Sequence, residues 1–331
     1  MLEVAKLSMK DRSDLITYTA IELGINEAIV EKDFWVCFML DILFHDFDYS
    51  DVISFKGGTS LSKGYNLIER FSEDIDIILD WRVLGYRMME PWEERSGGAQ
   101  DRFGIEVSKR TGEFLRGKFM PSLKMKIKDI GVEDFKLYMN EDENEMILFE
   151  YPRLFKDNAL VEEIRLEIGS LAAWTPLTTR TITSMAAEVM PQLFSRPSTE
   201  VRTVDAKRTF WEKATILHDV AHRTTLPARY SRHYYDLYQL SLSDVKQEAF
   251  NDVNLLKKVA DFKSKFYRSN RARYDQATPD EILLIPSRNI IEQMEKDYEA
   301  MKSMIYGEII PFKTILEGLD NLLLEIRELN T

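Results

Sequence analysis

The sequence predicts an α+β protein. Strand-like alternation is concentrated in the first two hundred residues, and helical spacing dominates after residue 205. Strands that come first and helices that follow favour α+β over an alternating, doubly wound sheet. A chain of 331 residues with 44% hydrophobic content can bury a substantial core, which suggests two domains or one with a large extension. The expected division is 1–195 and 196–331, placed by a change of composition near 190–204. No internal repeat, low-complexity tract or Pro-rich linker marks it.

The elements follow in order. The first is expected to be a helix over 31–40, apolar nearly all round and therefore buried. Residues 52–56 read as a short strand stopped by Gly57 and Gly58, followed by a helix from Ser60 to about Arg70. Residues 74–79 alternate as a strand apart from the apolar Ile78. Residues 81–130 read as largely helical, with a loop at Gly97 and Gly98. Strands are expected at 135–139 and 146–151 around an acidic turn over 140–145. In 162–168, Ile164, Leu166 and Ile168 point one way, and Glu163, Arg165 and Glu167 the other. Phe210, Ala214, Leu217 and Ala221 share one helical face, and further helices are expected over 244–268, 280–303 and 312–329.

Composition narrows the partners. A net charge of −12 argues against a surface that coats nucleic acid throughout, because such binding runs on neutralised phosphates. A local basic run is compatible with it. Between 257 and 274, Lys257, Lys258, Lys263, Lys265, Arg268, Arg271 and Arg273 stand against one acid, Asp261. Phe262, Phe266, Tyr267 and Tyr274 are interleaved, a mixture suited to RNA phosphates and stacked bases. The plainer reading is the solvated basic face of an amphipathic helix. The single cysteine, Cys37, excludes an internal disulfide framework and a cysteine zinc site, and its apolar context predicts a buried, inert thiol. Glu3 and Lys6 interrupt any signal peptide, and no apolar stretch has the length of a membrane span, so a cytoplasmic protein is expected.

The strongest chemical signal is the segment 55–79, FKGGTSLSKGYNLIERFSEDIDIIL. Side chains alternate along a strand, so Asp74 and Asp76 project from one face, about 7 Å apart. Two carboxylates held that way can bridge hard cations through oxygen. Gly57 and Gly58 remove side chains where a helix begins, letting its N–H groups approach a triphosphate. Ser60 and Lys63 lie close enough in sequence to reach its oxygens, and Gly57, Gly58, Thr59, Ser60, Lys63 and Lys213 form the expected NTP-binding set. Glu167 is the best candidate for a third carboxylate; otherwise it is an ordinary solvent-facing strand residue. Lys213 lies in a mostly apolar helical stretch, where it needs a phosphate or carboxylate neighbour unless it snorkels beside Glu212. His218, His222 and His233 lack the spacing of a zinc-protease helix and read as structural. Ser72 is a turn residue or a modification target, where a phosphate would add negative charge beside the aspartates.

The pattern Gly-Gly-Thr-Ser-Leu…Arg-Phe-Ser-Glu-Asp-Ile-Asp resembles the AbiEii/AbiGii group of nucleotidyltransferase toxins, which includes the MenT proteins. Residues 31–35, EKDFW, resemble the group's Glu-Lys-Asp-aromatic element; 210–218, FWEKATILH, its Glu-Lys helix; and 232–237, RHYYDL, its late basic-to-aspartate element. The resemblance covers roughly 31–240 in order. It implies a DNA-polymerase-β-like core with a helical C-terminal region. It also implies a toxin with a cognate antitoxin, moving a nucleoside monophosphate from an NTP to the tRNA 3′ end with two Mg²⁺ ions. Asp74 and Asp76 match the metal-binding aspartates, Lys213 the motif lysine and Asp236 the final aspartate. Arg165-Leu166-Glu167 stands where the group often has Lys-x-x-Asp or Lys-x-Asp, and Arg232-His233 where it can carry Lys-Asp. Two other readings stay open: an antibiotic-type nucleotidyltransferase acting on a small hydroxylated molecule, and a non-catalytic module that binds NTP or antitoxin.

Overall fold

A computed structural model describes residues 1–72, 74–140, 143–157, 161–173 and 175–330. It divides into two compact units. One comprises Met1–Gly64 and Ser72–Thr203, the other Tyr65–Phe71 and Val204–Thr331. The short connector over 65–71, expected as the end of a helix, thus belongs with the C-terminal residues.

The first unit contains α1 (Leu2–Ala5), α2 (Met9–Leu23), α3 (Glu27–His45), β1 (Ile53–Lys56), α4 (Gly57–Thr59) and β2 (Asp74–Leu79). These are followed by α5 (Gly97–Phe114), α6 (Met120–Ile130), β3 (Lys136–Tyr138), β4 (Met146–Glu150), β5 (Ile164–Gly169), β6 (Leu177–Thr183), α7 (Met185–Val189) and β7 (Ser198–Val204). The strands form a seven-stranded mixed sheet in the order β3-β4-β5-β2-β1-β7-β6. β2 lies between antiparallel β1 and parallel β5, so its side chains are framed on both sides. Phe55, Ile75, Ile77, Leu166 and Ile168 bury one sheet face in the core shared with α3. α3 begins where Asn26 Oδ1 accepts the Ala28 N–H, and its middle is buried all round, as its apolar composition requires.

Several expectations needed correction. Two helices precede α3, so 31–40 is not the first ordered element. The helical segment after the glycines runs through a π turn, Ser60–Gly64, and stops there; Asn66, at φ 53, lies in the left-handed region. Gly97 and Gly98 open α5 instead of forming a loop. The residues before them hold only short turns, Trp81–Leu84 and Glu90–Trp92, because Gly85 and Pro91 interrupt a longer helix. β6 and β7 were not anticipated, although Thr199, Val201 and Thr203 alternate as buried residues with exposed Glu200 and half-buried Arg202. Residues 141 and 142 of the expected acidic turn lie outside the described residues.

The second unit is helical: α8 (Ala206–Ala221), α9 (Ser231–Ser241), α10 (Asp244–Phe250), α11 (Asn254–Phe266), α12 (Arg288–Met301) and α13 (Phe312–Arg327). α8 packs on α9, α10 and α11, and α9 in turn packs on α12 and α13. Asp205 caps α8 by accepting the Lys207 N–H. The helix expected over 244–268 is two helices, parted at Asn251 and Asp252, whose side chains compete for backbone hydrogen bonds. The one expected from 280 starts only at Arg288, because Pro286 cannot sit in a helix interior. The α+β class read from the sequence holds.

Candidate functional site

The two aspartates stand on β2 as alternation demands: Asp74 and Asp76 are half-buried, while Ile75 and Ile77 are buried on the opposite face. Register extends that face. Asp76 pairs with Lys56 on β1 and Glu167 on β5, and Asp74 pairs with Arg165. Directly opposed residues share a sheet face, so Asp74, Asp76, Glu167, Arg165 and Lys56 line one side.

Gly57 explains the glycines that follow β1. It sits at φ 81, and a Cβ built on it would fall 1.8 Å from Asp76 Oδ2. The carboxylate occupies the space that a side chain would need, so only glycine lets the turn close against Asp76. The Thr59 hydroxyl donates to the Asp74 carbonyl, and Ser60 Oγ donates to the Gly57 carbonyl at 2.8 Å. Both hydroxyls are buried and shape the turn from within. Lys63 Nζ meets Asp33 Oδ1 at 2.6 Å, and Asp33 Oδ2 accepts the Met185 N–H at the start of α7. Burial pushes the lysine pKa down, but Asp33, with Glu188 adding to it, outweighs that and holds it above its usual range. Lys63 is thereby locked to a carboxylate of its own unit.

Among the described residues, no three His, Cys, Asp or Glu side chains are gathered closely enough to hold a metal. Asp74 and Asp76 nevertheless fit Mg²⁺ by chemistry, since this ion is held by one or two carboxylates and completes its shell with water and phosphate oxygens. Glu167 is exposed beside Asp76, in register but not gathered with the aspartates into such a set.

In the second unit, Lys213 on α8 is buried, and its Nζ donates to Asp236 Oδ2 at 2.7 Å and to His233 Nδ1 at 3.0 Å. It does not snorkel; Glu212 instead accepts from Arg208 at 2.9 Å. Arg70 grips the other side of Asp236, with Nε on Oδ1 at 2.7 Å and Nη2 on Oδ2 at 2.9 Å. Burial alone would raise the Asp236 pKa, but Arg70 and Lys213 together hold it below the usual carboxylate range. Lys213 is lowered by burial, with Asp236 opposing and Arg70 assisting. His233 falls well below its ordinary value through burial and then the Lys213 charge, so it is neutral and accepts at Nδ1.

The basic run is less solvated than its composition suggests. α11 ends at Phe266, so the run is not a single helix. Lys263 Nζ donates inward to the Glu212 carbonyl at 2.9 Å, and burial pushes its pKa down to about 7. Arg271 meets Asp219 at 3.1 Å, Lys265 is half-buried and Arg268 is exposed. His218 bridges the Arg273 carbonyl and the Leu283 N–H, a structural role.

Two residues of these clusters escape assignment from the sequence, Asp33 and Arg70, while His233, read there as structural, accepts from Lys213. Asp33 and Arg70 stood inside quoted motifs, yet nothing in their spacing names a partner more than a hundred residues away. Lys32 and Glu31 likewise tie α3 to the loop that follows β4, through the Val161 carbonyl and the Leu154 and Phe155 N–H groups.

The family profile described as "Nucleotidyl transferase AbiEii toxin, Type IV TA system" matches residues 41–318. Among solved structures, MenT4, a nucleotidyltransferase toxin from Mycobacterium tuberculosis H37Rv, is similar at 16% identity and a TM-score of 0.46; the match covers 94% of this chain and 99% of that one. Comparison with curated proteins returned no match. No helix among the described residues is long and apolar enough to cross a membrane.

Proposed function

The chain belongs to the AbiEii family of nucleotidyltransferase toxins of type IV toxin–antitoxin systems, and on that premise we propose that it transfers a nucleoside monophosphate from an NTP to the tRNA 3′ end. The observation that carries this reading is the Asp76 carboxylate seated against Gly57, which joins the glycine turn to the aspartate strand. Asp74 and Asp76 would hold two Mg²⁺ ions, with water and phosphate oxygens completing their shells. Bound there, the metal supplies Lewis-acid stabilisation of the triphosphate and a more acidic attacking hydroxyl.

The rest falls to the chain itself. The first N–H groups of a helical segment lack intrahelical acceptors, so Gly57, Gly58 and Thr59 offer donors to phosphate oxygens. Ser60 holds the turn through the Gly57 carbonyl, and Lys63 stiffens it through Asp33. Lys213 offsets charge that develops on phosphate, with Asp236 fixing its ammonium. The acceptor's phosphates would meet the basic run at Lys265, Arg268 and Arg271, with Lys263 bracing it from inside. A cognate antitoxin is the expected protein partner.

The test is incubation of the full chain with Mg²⁺, total RNA and each of four labelled NTPs. Label in tRNA that is lost on trimming its 3′ end supports the proposal. Label on a small hydroxylated molecule would favour the antibiotic-type reading, and no transfer from any NTP would overturn the assignment.

A further inference from the structure

The Lys213 cluster carries more positive charge than its carboxylate can neutralise. Arg70 and Lys213 are cations, Asp236 is an anion and His233 is neutral, so the four side chains sum to +1. Without Arg70 the lysine and aspartate cancel. Side-chain exposure is 0% for Asp236, 4% for Arg70 and 8% for Lys213, so of the three the lysine stands nearest to solvent. Arg232 and Lys263 add further cationic influence around it, from α9 and from α11.

The position of Arg70 is itself built in. Its connector is stitched to the C-terminal unit by a bridge to Ile305, by the Phe71 N–H on the Met304 carbonyl at 2.7 Å, and by the Tyr306 N–H on the Glu69 carbonyl at 3.0 Å. Gly307 lacks the Cβ that would collide with Glu69, and Tyr65 donates to the Val204 carbonyl. A guanidinium fixed in this way presents a two-pronged fork to Asp236 with little left to reorganise.

We propose that Arg70 is a positioning residue that gives the Lys213 site its net positive charge: by sharing Asp236 with the lysine, it leaves the ammonium only partly neutralised and able to bind a phosphate group of the nucleotide. This rests on the reading of Lys213 as a phosphate contact and assigns the residue that makes such a contact electrostatically possible. A lysine paired with aspartate alone is a neutral dipole, with little attraction for a polyanion.

The experiment is calorimetric titration of the full chain with inorganic triphosphate, in chelator and free of divalent cations. Arg70→Gln is expected to weaken binding roughly tenfold or more, the scale of one unit charge several ångströms from a ligand at an effective dielectric near 20. Arg70→Lys keeps the charge and should stay within a few-fold of the unaltered chain. Asp236→Asn should bind more tightly than the unaltered chain. Arg70→Gln combined with Asp236→Asn should return close to it, a rescue that a purely structural arginine would not produce. If Arg70→Gln alone fails to fold, the step from Asp236→Asn to the double variant still measures the arginine charge. A double variant as weak as Arg70→Gln, or an Asp236→Asn chain no tighter than the unaltered one, overturns the proposal. Lys213→Met with undiminished triphosphate affinity removes the reading beneath it. Weakened Lys213→Met beside an unresponsive Arg70 and Asp236 series overturns the proposal alone.

Discussion

Each unit contains a buried lysine–aspartate pair of nearly the same length, Lys63–Asp33 at 2.6 Å and Lys213–Asp236 at 2.7 Å, yet their lysines shift in opposite directions. Lys63 is raised and Lys213 is lowered. Burial lowers both, so the difference lies in the company each pair keeps. Asp33 serves one cation and a backbone N–H, whereas Asp236 is shared between Arg70 and Lys213. The first pair is a self-neutralised lock, and the second is a cationic site with its carboxylate already engaged. Distance alone would have made them equivalent. The charges around each pair separate them: Glu188 adds to Asp33 at Lys63, whereas Arg70 and Arg232 oppose Asp236 at Lys213.

The largest effect expected is on the carboxylate face of the first unit, which neither pair can replace. Asp74→Asn and Asp76→Asn should each reduce transfer to background while the melting transition stays in place, because each removes a metal ligand. Gly57→Ala should do the same indirectly, since its Cβ would displace the Asp76 carboxylate. Substantial metal-dependent transfer in either aspartate variant would sink the two-metal assignment.

Next come the two lysines themselves. Lys213→Ala should lower turnover by about 10²–10³, the usual scale for losing a preorganised charge on developing phosphate charge. Lys63→Met should act mainly on stability, costing about 3–5 kcal/mol by leaving Asp33 buried with one fewer partner. Its folded fraction should retain much more activity than the Lys213 variant. Equal loss of turnover per folded molecule in both would erase the distinction drawn between the pairs.

A smaller effect tests a third lysine, which among the described residues has a backbone carbonyl and no carboxylate in hydrogen-bond contact. Lys263 is pushed from 10.5 to about 7 by burial. Between those values the unfolded chain binds one more proton than the folded one, so this group's contribution makes stability climb with pH. Below pH 7 the folded state bears the full cost of the charged, buried ammonium. Lys263→Met should therefore stabilise the second unit more at pH 6 than at pH 9, read from urea midpoints at the two pH values. An advantage independent of pH would mean that this ammonium is solvated in the folded protein.

What was legible in the sequence was local. The alternation of Asp74, Ile75, Asp76 and Ile77 shows which side chains share a face, and the composition of α3 shows that it is buried, because both follow from the repeat of a single element. The glycine pair could be read as a close approach, though not as an approach to Asp76. Gly85 and Pro286 outweigh the helical patterns around them, each ending or delaying a helix that the apolar spacing alone would continue. Thr-rich β6 and the strand hidden in the expected boundary, β7, carry strand-forming residues with weak apolar contrast, so pairing within the sheet decided them.

The sequence by itself determined the α+β class, the β2 carboxylate pair and the need of Lys213 for a partner, since each depends on residues within a turn or strand of one another. Only the tertiary structure decided which partner each charge received. Asp236 is gripped by an arginine 166 residues away, and Asp33 caps a helix 152 residues away. Such pairings follow from how elements pack, and burial makes them obligatory, because an unpaired charge out of water costs more than the chain's marginal stability can absorb.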